Sequence, residues 1–178
     1  MKLVQAIVFG ALAAGTLDIL YAFIVFGPLS YGLSPEQVLQ SVAAGWVGRE
    51  VARTGGMETA MLGLGTHFMI ATIMAAVYVL AAARIAALTK HALLWGLVYG
   101  LVLYVAMNYI VVPLSASAAG RFAGASEILS RLQGSFSEVR GGGGEAYPWM
   151  IWGNILTHTV LVGLPISLMA RRFLHQQA

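Results

Sequence analysis

Residues 3–26 read LVQAIVFGALAAGTLDILYAFIVF, an apolar run from Leu3 to Phe26 in which Asp18 is the only charge. A helix needs roughly 20 mostly apolar residues to cross about 30 Å of hydrocarbon. This run is long enough, and Gly27-Pro28 closes it. Its apolar part is too long for a signal peptide, and no small-residue cleavage site leads into a polar start, so it reads as a permanent helix.

The rest of the chain agrees. Of 178 residues, 59% are hydrophobic and only 10% charged, and the mean hydropathy is +0.81. A soluble domain carries roughly 45–50% apolar and about 25% charged residues. Too few charges are present to clothe a globule in water, which excludes a soluble enzyme and equally a disordered chain. The absence of Cys excludes a disulfide scaffold, a thiolate metal site and a cysteine nucleophile. The sequence pI is about 9.5, but the basic residues stand at the ends of apolar segments rather than in a cluster. That is a membrane pattern, and no nucleic-acid partner is expected.

Three more runs resemble the first. Spans are predicted at about 3–26, 59–83, 91–112 and 149–170, with Pro113 ending the third and Pro148 introducing the fourth, which stops before Arg171-Arg172. The expected fold is an all-α integral membrane protein: one membrane domain, 1–178, built as a four-transmembrane-helix bundle with two outer interfacial helical segments. The first of these, about 35–53, opens on Ser34-Pro35-Glu36-Gln37, a capping box with proline in the first turn. Val38, Leu39, Val42, Trp46 and Val47 then form an apolar stripe, predicting a helix that lies in the interface. Arg49, Glu50 and Arg53 read as its solvated face. In the second segment, about 121–140, Phe122, Ala125, Leu129, Leu132, Phe136 and Val139 recur in steps of three and four. An amphipathic lid and a disordered insert both fit it, and Gly141-Gly142-Gly143-Gly144 follows.

Charge placement sets the orientation. Lys2, Arg84, Lys90, Arg171 and Arg172 fall on one side with no acidic residue among them; Arg49, Arg53, Arg121, Arg131 and Arg140 fall on the other, mixed with Glu36, Glu50, Glu58, Glu127, Glu138 and Glu145. The first set lies in short segments close to helix ends, where the positive-inside rule acts, so both termini are expected in the cytoplasm. Trp95 near one interface, and Trp149 and Trp152 near the other, fit aromatic belts.

Several motifs carry a resemblance. Ala14-Gly15-Thr16-Leu17-Asp18, Pro35-Glu36-Gln37-Val38-Leu39-Gln40, Leu62-Gly63-Leu64-Gly65-Thr66-His67-Phe68, Met107-Asn108-Tyr109, Val112-Pro113-Leu114-Ser115 and Val162-Gly163-Leu164-Pro165-Ile166 are similar to stretches of the YagU-like small bacterial inner-membrane proteins. The likeness covers most of the chain, and 117–147 departs from it. It implies a four-span protein of the bacterial inner membrane and supplies no reaction.

Ionisable residues inside a span are costly and point to function. The candidates are Asp18, His67 and His158, with Asn108, Asn154 and Tyr104 as polar neighbours. At 1.5 Å per residue, Asp18 lies ~12 Å below the outer end of its span and each His ~13 Å below its own, a shared level. An intramembrane Asp/His pocket is therefore expected, serving transport or sensing of a cation or proton. Two His and a carboxylate also suit a divalent metal, with Asp18, His67 and His158 as ligands, while His67 and His158 suit axial ligation of haem, against which Asp18 counts. The remaining reading is a non-catalytic accessory subunit whose partners are the bilayer and a homo-oligomer or larger membrane complex. Plain helix-to-helix hydrogen bonding by these residues stands beside all three. Enzyme activity is the least supported, since neither a nucleophile elbow nor an HExxH motif occurs.

Overall fold

The computed structural model describes residues 1–141 and 143–174. The chain is 79% helical, with no strand among the described residues. In order, the helices are α1 (Lys2–Phe26), α2 (Pro35–Val47), α3 (Arg49–Thr54), α4 (Gly56–Ala82), α5 (Ala86–Lys90), α6 (Ala92–Leu114), α7 (Ala116–Ala119), α8 (Ile128–Phe136) and α9 (Met150–Leu174). Four of them, α1, α4, α6 and α9, are long and apolar enough to cross a membrane. The fold is divided into two units: Met1–Tyr21, Phe68–Tyr104 and the chain from Gly153 onward form the first, Ala22–His67 and Val105–Trp152 the second.

In the first unit all four long helices meet in a core of small residues. Ala6, Ala11 and Ala14 of α1 pack with Ala75, Val79 and Ala82 of α4, and with Ile166 and Ala170 of α9. Small side chains let helix backbones approach closely, which is how membrane helices gain van der Waals contact. Gly96 and Gly100 of α6 carry this furthest: a Cβ at Gly96 would stand 3.1 Å from the carbonyl oxygen of Gly163 on α9. Buried Tyr78 and partly buried Tyr99 are satisfied by backbone, Tyr78 donating to Leu88 O at 3.0 Å and Tyr99 to Met74 O at 2.7 Å.

Both later spans carry a π-helical segment, Ala106–Val111 in α6 and Thr157–Gly163 in α9, and each is followed within two residues by proline. The third long helix takes in Pro113 and ends one residue later, at Leu114. Proline clashes with the carbonyl four residues earlier and offers no N–H. In the π segments the bonds reach one residue further, as where Val112 N–H donates to Met107 O and Leu164 N–H to Thr159 O. The turn ahead of the proline is widened, and α6 continues to Leu114. The fourth helix also runs beyond its expected end, carrying Arg171 and Arg172 in its last turn, where cations face the partial negative charge of the helix end.

In the second unit the capping box forms as read: Ser34 Oγ accepts from Gln37 N–H at 3.2 Å and Ser34 N–H donates to Gln37 Oε1 at 2.9 Å. The single helix expected over 35–53 is two, because Gly48 sits at φ +82°, where a Cβ would lie 3.1 Å from Gly120 Cα. Nor does α2 cross the end of α4. Gln40 Nε2 donates to Gly56 O at 3.1 Å, Gly63 lies against the backbone of Leu39 and Ala43, and Trp46 Nε1 donates to Thr66 Oγ1 at 3.0 Å. Successive turns of α2 thus meet successive turns of α4, over about 15 Å at the helical rise. The two run side by side in the same direction.

The stretch 121–140 is helical only over Ile128–Phe136. Residues ahead of it are held by charge: Glu127 takes both Arg121 and, at 3.2 Å, Arg131, and accepts Gly124 N–H at 3.1 Å. Arg121 foremost, with that backbone N–H, holds the Glu127 carboxyl down at about 2. Within the glycine run, Gly142 lies outside the described residues; Gly143 bridges to Tyr147, whose ring meets Tyr31 edge-on at 5.0 Å.

Candidate functional site

Of the six polar residues singled out in the sequence, Asp18, Tyr104, Asn154 and His158 belong to the first unit, and His67 and Asn108 to the second. Three of the first group come together at the start of the α9 π segment. His158 Nδ1 lies 2.9 Å from the backbone carbonyl oxygen of Asn154. Its ring meets that of buried Tyr104 edge-on, with centroids 5.8 Å apart and planes at 80°. A carbonyl only accepts, so Nδ1 carries a proton, and in the neutral ring Nε2 is the acceptor. The backbone around the ring is also occupied: Thr157 Oγ1 donates to Gly153 O at 2.8 Å and Thr159 Oγ1 to Ile155 O at 2.7 Å. The Nδ1 contact orients the His158 ring and, with Nδ1 as the donor, makes Nε2 its acceptor nitrogen.

Asp18 is partly buried on α1. Gly15, one turn earlier on the same face, is hemmed in by α4: a Cβ there would stand 2.8 Å from the Phe68 ring and 3.3 Å from Ala71. In the second unit, His67 follows Thr66, the residue that anchors the Trp46 indole. Asn108 lies in the α6 π segment, and its backbone carbonyl accepts Arg140 Nε at 2.9 Å. Among the described residues no three His, Asp or Glu side chains are placed to hold a metal ion.

Sequence reading missed the partners of the α6 π segment. A π turn offsets its carbonyls from the regular helical ladder. Ser135 Oγ donates to Tyr109 O at 2.6 Å, Arg140 N–H donates to the Tyr109 hydroxyl at 3.2 Å, and Phe136 stacks on the Tyr109 ring at 5.0 Å. Ser135 was indistinguishable in the sequence from the other serines of this segment; its only signal was a position one residue before an apolar stripe member. No protein-family model, curated protein or solved structure matches the chain.

Proposed function

We propose that this is a multi-pass protein of the bacterial inner membrane, with both termini cytoplasmic, that transports or senses protons or a small cation through its in-span polar residues. Membership of the YagU-like group is part of this reading. The observation that carries it is His158, whose Nδ1 is tied to the Asn154 carbonyl and whose ring abuts Tyr104, leaving Nε2 as a proton acceptor on a helix long and apolar enough to cross a membrane. π segments also recur at functional sites, and His158 is the second residue of one. In this reading Asp18 supplies the fixed negative charge within the spans and His67 shares in the response to pH.

The test is proton flux into sealed vesicles of purified protein under an imposed pH gradient. Wild type should collapse the gradient faster than protein-free vesicles, and His158→Gln should not. A flux equal to the protein-free rate, together with His ring titrations that are the same in wild type and Asp18→Asn, would remove both the transport and the sensing forms of the proposal.

A further inference from the structure

The second unit holds a cavity of about 730 Å³ that the in-span polar residues do not touch. Its polar lining is Arg49 and Arg53 of α3, Gln37, Gln40 and Ser41 of α2, and Ser117, with the hydroxyl-bearing Tyr31. Residues four apart share a helix face, so both guanidinium groups belong to one wall. Neither makes a hydrogen bond or ion pair with another described residue, although Glu50 stands between them in sequence. Two adjacent cations without an acidic partner mark a place for an anion, since guanidinium pairs bind phosphate and carboxylate oxygens in a fork. The apolar part of the lining includes Phe26, Leu33 and Val112.

Where those apolar residues come from identifies the occupant. Phe26 is the last residue of α1, and Val112 lies in the last turn of α6. Two helices long enough to span a membrane therefore end on this cavity, at the level where hydrocarbon gives way to head groups. We infer that the cavity binds an anionic phospholipid of the surrounding bilayer, its phosphate on Arg49 and Arg53 and the upper part of an acyl chain along Phe26, Leu33 and Val112. The volume falls within the roughly 300–1,000 Å³ of small-molecule sites, enough for a head group and a chain segment. A free inorganic anion would leave the apolar wall unused, and a zwitterionic lipid would bring its own cation towards the arginines. The inference rests on the membrane reading of the four helices and not on proton movement, so failure of the flux experiment leaves it standing.

The experiment uses the full-length protein, stripped of lipid in a non-ionic detergent. Thermal unfolding is followed while dioctanoyl phosphatidylglycerol, dioctanoyl phosphatidylcholine, inorganic phosphate or octanoate is added. The phosphatidylglycerol should raise Tm saturably, and the other three should not. In Arg49→Gln/Arg53→Gln the apparent affinity should fall roughly tenfold or more, the size expected for losing charge-assisted hydrogen bonds, and Arg49→Lys/Arg53→Lys should recover part of it. Equal shifts with phosphatidylcholine, an equal shift with phosphate or octanoate alone, or an unchanged response in the double glutamine variant would overturn the inference. A photoactivatable phosphatidylglycerol in bilayers of the wild-type protein gives an answer that needs no variant to fold. Label should concentrate in peptides covering 26–53 and 112–117, and label spread evenly over the spans would overturn it as well.

Discussion

Gly100 of α6 lies directly on the backbone of His158 in α9: a Cβ at position 100 would stand 2.2 Å from the His158 carbonyl oxygen and 2.4 Å from Thr159 Cα. The glycine thus lets α6 press against the π segment that holds the histidine. Gly163 of the same segment is as tightly placed, with its own Cβ position 2.2 Å from Gly96 O. The contact is reciprocal, glycine to backbone in both directions, and belongs to the small-residue crossings of membrane helices.

Gly100→Ala should therefore destabilise the first unit by about 1–3 kcal/mol, the cost of forcing an extra carbon into a packed contact. Gly65→Ala is the control, since that position is exposed with nothing within 4 Å of the added carbon. Thermal unfolding in detergent should show a lowered midpoint for the first and none for the second. Equal midpoints would mean that α6 and α9 do not approach this closely.

Ser135→Ala removes the hydrogen bond from α8 to the Tyr109 carbonyl of the α6 π segment. A single hydrogen bond contributes about 1 kcal/mol net, so amides of Ile128–Phe136 should exchange roughly fivefold faster. Arg140→Gln, which loses the bond to the Asn108 carbonyl, should act in the same direction. Amides of this stretch that are already unprotected in the wild type would instead support the disordered-insert alternative.

The pH dependence of the same segment has a definite sign. The folded-state value of Glu127 lies at about 2, below its ordinary 4.5, chiefly because of Arg121. A carboxylate with a depressed folded value stabilises the structure at pH above the ordinary value. That contribution fades as pH falls from about 4.5 and is gone once pH passes below about 2. A carbon-detected NMR titration should find the Glu127 midpoint near 2, moving up towards the ordinary range in Arg121→Gln. A wild-type midpoint near 4.5 would mean that the Arg121 pairing does not persist in solution.

The four spans were legible because a run of apolar residues longer than a bilayer needs no tertiary information to interpret. Ser34 to Gln37 was legible for the same reason, since a capping box is closed within one turn. The π segment Ala106–Val111 ahead of Pro113 was not legible, because nothing in the local sequence marks the widened turn. The packing of α2 beside α4 was not legible because an apolar stripe says that a helix is covered on one side, not by what. Gly63, whose added carbon would meet the Leu39 carbonyl, was the residue that distinguished packing beside α4 from lying in the interface. Of the site, Tyr104 and His158 are 54 positions apart in sequence, and no periodicity within either helix relates them. Arg49 and Arg53 are exposed as read, and the cavity they line was not legible because its other lining residues, including Phe26 and Val112, come from distant segments.

The tautomer of His158 is the sharpest test of the site itself. Its proton acceptor is a backbone carbonyl, that of Asn154, so the side chain at 154 can be changed without removing it. In nitrogen-15 spectra of the protein in bilayers, neutral His158 should show a protonated Nδ1 and a bare Nε2, and Asn154→Leu should keep that assignment. Tyr104→Phe should keep it too, because it preserves the aromatic ring whose centroid lies 5.8 Å from that of the imidazole. Tyr104→Ala opens space beside the ring and should let it sample other rotamers, broadening its signals while the helix remains. Proton flux should follow the same order, near wild type for Tyr104→Phe and reduced for Tyr104→Ala, if a held imidazole is what the function requires. A His158 protonated on Nε2 when neutral would show that the Asn154 carbonyl does not hold it, and the proton-accepting nitrogen assigned here would be the wrong one.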